Sequence, residues 1–357
     1  MSRQILFESF SNDSYDQDDC LYVCYDVFHV FELAVSICAF GTVSVIGVVG
    51  NVVNMIIFVR QLLKDSMTVG LFALSFTDFS VSLAEMTMSI IYLANYIFPY
   101  SPVDLWALAY VGFGWTLYTG YLISGWITAM IALERCFCVV APFRVKQLFT
   151  RRRCVIVVIM IYTVHLLPLL PLYIAERMQW VAIEDPNAFF NSTLSIKLYY
   201  TITLTDFADE VEKALDATAG LFLFLASQAV LTVCSLWMTY SLKATSLVRS
   251  HKSAFTEKLA SSEKLSSNLT PQEKRLVKMV LSLAVLQTVC NLPRLILTVF
   301  YNVWTDSSVK GDKNLSTMIW SIASLFNQVC CTSNTFCYYF LSSKHRNMFK
   351  KLFGLKS

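Results

Sequence analysis

Polar and apolar residues along this chain separate into blocks rather than alternating. Seven blocks are apolar almost throughout, near 33–60, 67–95, 103–137, 153–174, 216–243, 272–302 and 315–341. A helix needs about 20 such residues to cross the hydrocarbon core of a bilayer, and every block reaches that length. The pattern predicts an all-α membrane protein, a seven-transmembrane helix bundle, whose odd number of crossings puts the chain ends on opposite sides. Residues 1–32 read as an N-terminal tail, 33–341 as the bundle with 244–271 as a polar loop inside it, and 342–357 as a terminal segment. In the last, Met348, Phe349, Leu352 and Phe353 share one face among Lys344, Arg346, Lys350 and Lys351. That amphipathic arrangement predicts a short helix lying on the membrane surface.

Composition agrees. The 357 residues are 56% hydrophobic with a mean hydropathy of +0.55, leaving little chain for a soluble domain. Residues 1–32 are acidic and polar without the apolar core of a cleavable signal, so the first span is expected to insert as its own signal. The net charge of +3 says less than its distribution. With the N-terminus outside, twenty-one basic residues fall on the cytoplasmic side and six on the other, as the positive-inside rule requires. Sequons at Asn12, Asn191 and Asn314 all fall in segments assigned outside and are candidate glycosylation sites; Asn268 falls in the cytoplasmic loop before Pro271. Most cysteines lie within spans, where a thiol packs as a small hydrophobe. Cys20 and Cys24 are external and close enough in sequence to pair.

Polar residues in lipid-spanning helices are costly and so mark function. Here they are Asn51, Asp78, Glu85, Ser124, Glu134, Arg135, Gln228, Asn291, Arg294, Asn327, Gln328 and Asn334, held in the strings G-V-V-G-N-V-V-N, L-S-F-T-D, A-L-E-R-C-F-C-V-V-A-P-F, C-N-L-P and S-N-T-F-C-Y-Y. Taken in that order they resemble the rhodopsin-like (class A) G-protein-coupled receptors. E-R-C-F-C-V-V-A-P-F-R-V-K-Q-L-F-T and C-N-L-P-R look like the chemosensory receptors of molluscs. The resemblance implies a polar network of Asn51, Asp78, Ser124 and Asn334, able to hold an allosteric sodium ion as in the family. It also implies an activation switch of Glu134, Arg135, Glu273, Pro293 and Tyr338. G-protein contact would fall to Pro142 and Phe143. The implied partners are an external small molecule, a heterotrimeric G protein, arrestin and membrane lipids, not nucleic acid.

The chain departs from the family pattern in several places. Cys136 stands for the Tyr of the third-helix triplet, Asn291 for the sixth-helix Trp and Thr335 for the seventh-helix Pro. Tyr110 occupies the place of the third-helix cysteine, and 175–215 contains none. The disulfide that pins this loop in the family is therefore missing.

Arg294 is the least expected residue. A charge within a span costs about 2.5–3.5 kcal/mol on insertion scales, and Arg294 directly follows Pro293. Two readings account for it. It clamps a ligand carboxylate in an outer cavity with Leu117, Tyr118, Tyr121, Gln228, Ser324 and Gln328, or it bridges to Glu85, which shares a face of the second helix with Asp78.

Other functions fit less well. The seventh span has no lysine for a retinal Schiff base. An intramembrane enzyme needs paired aspartates, a nucleophile with His, or clustered metal ligands, whereas Asp78 is the only Asp deep inside a span and His165 the only His within one. The expected function is a chemosensory plasma-membrane receptor, multi-pass with an extracellular N-terminus, binding a small molecule without a cofactor. The alternatives are a peptide or amine receptor of the same class and a seven-span ligand-gated channel.

Overall fold

The computed structural model of the protein describes residues 23–99, 101–140, 145, 147–184, 196–203, 205–255, 271–303 and 313–354. Seven long helices cross the molecule. Helix α1 runs as Tyr25–Phe31, Glu32–Ala39 and Phe40–Arg60, and α2 is Ser66–Ile97. Helix α3 runs as Leu105–Ala109, Tyr110–Gly114 and Trp115–Val140, and α4 as Arg151–Leu166 and Leu169–Ala175. A hairpin of β1 (Arg177–Glu184) and β2 (Ile196–Thr203) follows. Helix α5 is Asp206–Leu215, Asp216–Leu223 and Phe224–Phe255; α6 is Pro271–Val303, α7 Lys313–Leu341 and α8 Ser343–Leu352.

The first six are long and apolar enough to cross a membrane. Helix α7 has the length, 29 residues, but spends much of it on Ser, Thr, Asn and Gln. Apolar side chains left exposed on the outside, such as Val45, Ile46 and Val49 of α1 and Ile156, Ile159 and Met160 of α4, are what a lipid-facing surface requires. Buried residues recur at helical spacing on α2 (Leu74, Asp78, Val81, Ser82, Glu85) and α3 (Leu117, Tyr121, Ser124, Thr128). These two helices form the centre of the bundle. Around them Ile123, Ile127, Leu231, Met238, Val280, Leu283 and Tyr338 make the main apolar core.

Two departures from the expected boundaries have physical causes. Helix begins at Tyr25, within the segment read as a tail, because Phe28 and Phe31 have aromatic surface to cover. Helix α5 continues to Phe255, beyond the expected loop start at 244. Adding residues to a formed helix costs little compared with nucleating one, and Ala, Leu and Lys favour it.

The hairpin replaces the loop expected over 175–215. Its eight residue pairs run from Arg177↔Thr203 to Glu184↔Ile196, and W-V-A-I and L-Y-Y-T-I-T carry the β-branched and aromatic residues strands favour. Asp104 anchors it without a disulfide. Its Oδ1 caps α3 by accepting from Ala107 N at 2.9 Å, and its Oδ2 accepts from Thr201 Oγ1 at 2.8 Å. Two backbone bonds, Asp104 N to Tyr200 O (3.0 Å) and Tyr200 N to Pro102 O (2.8 Å), complete the attachment. The segment just before α3 thus makes an isolated parallel bridge to β2, Val103 to Tyr200.

Helices α1, α3 and α5 each contain a π-helical stretch, at Glu32–Ala39, Tyr110–Gly114 and Asp216–Leu223. All three lie toward the end that carries the hairpin, here the hairpin end; the opposite end carries α8. Such widened turns re-aim side chains and concentrate at functional sites.

Candidate functional site

At the hairpin end the helices enclose a cavity of about 260 Å³. Of the residues expected around a ligand, Glu85, Leu117, Tyr118, Tyr121, Arg294 and Ser324 line it. Gln328 and Gln228 do not. Gln328 is fully buried and spent on internal bonds, donating to Ser82 Oγ at 3.1 Å and accepting from Tyr121 OH at 3.4 Å. Gln228 is buried on α5 outside the lining.

Arg294 is only 5% exposed. Its guanidinium lies over the Tyr118 ring, 4.3 Å from the centroid, with Phe224 at 5.5 Å. Stacking between rings of α3 and α5 partly compensates the lost hydration of the cation. The Tyr118 hydroxyl also lies close to the guanidinium, yet Nη2 is buried with no hydrogen-bond partner. The bridge to Glu85 considered from sequence is not formed. Among the described residues the ion pairs are His29–Glu32 and Arg135–Glu134. Glu85 instead accepts from Tyr121 OH at 2.9 Å through Oε1.

Much of the cavity wall escaped sequence reasoning. Phe28, Phe31, Glu32, Ser36 and Phe40 come from α1, Met88 and Tyr92 from α2, Trp106 from α3, and Thr317, Trp320 and Ser321 from α7. Helical spacing carried the signal for some of them. Thr317, Ser321 and Ser324 repeat at three- and four-residue steps, as do Glu85, Met88 and Tyr92.

Below the cavity, Asp78, Ser124 and Asn334 meet. Asp78 Oδ1 accepts from Ser124 Oγ and Oδ2 from Asn334 Nδ2, both at 2.8 Å. Asn51 reaches α7 by donating to Cys331 O at 3.3 Å. Asn54 Nδ2 donates to Thr335 Oγ1 at 2.8 Å, so Thr335 adds a tie between α1 and α7. Both Asp78 oxygens are satisfied by protein donors.

At the α8 end, Arg135 Nη2 donates to Glu134 Oε1 at 2.9 Å, and Ser66 Oγ donates to the same oxygen at 2.6 Å. Glu134 thereby ties Arg135 to the start of α2. Arg135 Nε is buried without a partner. Tyr338 is fully buried, and neither its hydroxyl nor Ser75 Oγ has a hydrogen-bond partner. Its ring meets Phe58 edge-on at 5.4 Å and His345 at 5.8 Å. Pro293 lies inside α6 without ending it. The side chain of Glu273, and Pro142, Phe143, Asn12, Asn191 and Cys20, lie outside the described residues. Cys24 is exposed, and Asn314 Nδ2 donates to Val23 O at 3.2 Å.

Over residues 50–338 the chain matches the family model described as 7 transmembrane receptor (rhodopsin family). The chain belongs to that family. No curated protein matches it. In this rhodopsin-family receptor, the cavity and the Arg135 cluster stand at opposite ends of one bundle, joined by the Asp78 network and by α6, which carries Arg294.

Proposed function

We propose that the hairpin end faces the exterior and that the cavity there takes a small molecule bearing an anionic group, held by Arg294. Binding shifts α6 and activates a heterotrimeric G protein at the α8 end. The observation that carries this reading is Arg294 itself: a buried cation with an orphaned donor in the wall of a cavity. Leaving a buried charged donor unpaired costs more than an ordinary missing bond, and a ligand carboxylate accepts two guanidinium bonds at once.

Coupling follows from where Arg294 sits. It follows Pro293 on α6 and stacks on rings from α3 and α5, so an anion that draws it away alters contacts of three helices. The receptor then redistributes between two arrangements, as far as the ligand's differential affinity allows. Freed from Glu134, Arg135 is available to the G protein, with Pro142 and Phe143 as further contacts and arrestin a later partner. The Asp78 knot offers oxygen ligands to a sodium ion, but the proposed coupling does not need one.

The cavity volume lies below the roughly 300–1,000 Å³ of drug-sized sites, which favours a small molecule over a peptide. A cation in the wall opposes a simple amine. A chemosensory role agrees with these properties and with plasma-membrane location. A screen of carboxylates in cells expressing a promiscuous G protein tests the proposal. Wild type should respond, and Arg294→Gln should lose the response while reaching the surface; an undiminished response in the variant rejects it.

A further inference from the structure

The cavity wall contains a cation and a carboxyl group that do not meet. Arg294 contributes the cation, with Nη2 lacking a partner. Glu85 contributes a carboxyl group whose Oε1 takes the Tyr121 hydroxyl, and no described residue donates to Oε2. The other acid in the lining, Glu32, already has His29 at 3.8 Å. Asp216 lies within electrostatic range of Arg294 but forms no ion pair with it and does not line the cavity.

A cavity with one charge selects ligands of the opposite sign. A cavity with two separated, unpaired charges of opposite sign selects a ligand that is itself dipolar. Bringing each charge out of water is unfavourable, and collapse of Glu85 onto Arg294 would have relieved both. The packing prevents that. Tyr118 and Phe224 hold the guanidinium toward α3 and α5, while Tyr121 holds the carboxyl on α2.

Resting on the functional reading above, we infer that the ligand is a small zwitterion of amino-acid type, its carboxylate on Arg294 and its ammonium on Glu85. Tyr92, Trp106 and Trp320 give the wall aromatic faces for its body. An acid alone pairs Arg294 but leaves Glu85 without its cation, and an amine alone does the reverse. A site built for a polar group discriminates strongly against analogues that lack it.

The test uses full-length receptor and matched probes: the standard amino acids, each with its deaminated acid and its decarboxylated amine. G-protein activation in cells and thermal shift of purified receptor are read together. At least one amino acid should be about tenfold or more as potent as its matched acid and amine. Glu85→Gln should bring that amino acid down to its acid, and Arg294→Gln down to its amine. The wild-type comparison needs no variant and holds even if a variant folds poorly. Acids as potent as their amino acids, or Glu85→Gln keeping the preference, overturns the zwitterion and leaves the anionic-ligand reading standing. Silence toward every carboxylate overturns both.

Discussion

Asp104 and Thr201 join through a 2.8 Å hydrogen bond from the threonine hydroxyl to Oδ2, while Oδ1 of the same carboxylate caps α3. One side chain thus performs both the helix cap and the attachment of the hairpin, in a receptor without the family's disulfide at this place. Thr201→Val removes the attachment and spares the cap. Hydrogen exchange over 196–203 should accelerate about tenfold or more, in keeping with a bond worth about 1.5–3 kcal/mol. Asp104→Ala should add fraying at 105–109, where a lost cap costs about 1 kcal/mol. Unchanged exchange in both variants would mean the backbone bonds suffice.

Gly220 gives Tyr118 its place. A Cβ at this position would overlap the Tyr118 hydroxyl, and the ring would have to leave the Arg294 guanidinium. Gly220→Ala should therefore weaken ligand response by roughly tenfold through lost positioning of Arg294, although residue 220 is outside the cavity lining. Wild-type potency in this variant would show that the ring's position is immaterial.

Glu134 holds Arg135 with help from Ser66. Glu134→Gln keeps the shape and removes the charge, so Arg135 should leave α2 more readily. Ligand-independent signalling should rise several-fold, a shift of about 1 kcal/mol in the resting balance. A flat or lower basal signal in cells, at equal surface amount, would argue that this pair does not restrain the receptor.

Two buried groups outside the spans give stability opposite pH slopes. Burial against Phe58 and Tyr338 lowers His345 to about 4. Its contribution is complete above the ordinary value near 6.5 and is lost as pH falls through 4, on the order of 3 kcal/mol for so large a shift. Burial raises Glu176 to about 7; the Trp115 indole opposes this and Glu212 adds to it. Its contribution is present below 4.5 and is lost as pH rises through 7. Melting temperatures of the purified receptor between pH 4 and 8 should separate them. His345→Phe should flatten the acid-side loss and Glu176→Gln the loss above 4.5.

The apolar blocks made the seven helices legible because lipid-facing helices have no other way to be apolar for so long. Asp78, Ser124 and Asn334 were legible as costly polar residues, and they do meet. The hairpin was not legible although its strands carry β-branched and aromatic residues, because its attachment rests on Asp104, far from Thr201 in sequence. Gln228 and Gln328 are polar span residues expected at the cavity, and neither lines it. Which way a buried amide turns depends on its neighbours, and Ser82 and Tyr121 claimed Gln328. The α1 and α7 walls depend on packing between helices far apart in sequence, which spacing within one helix does not specify.

Guanine-nucleotide exchange on a purified heterotrimeric G protein, by the full-length receptor in lipid discs, tests the central claim most directly. Adding an active carboxylate should accelerate exchange with wild type and leave exchange with Arg294→Gln unaccelerated. Equal acceleration by both proteins, or none by wild type at saturating ligand, would contradict the account of Arg294 as the residue that turns ligand charge into signal.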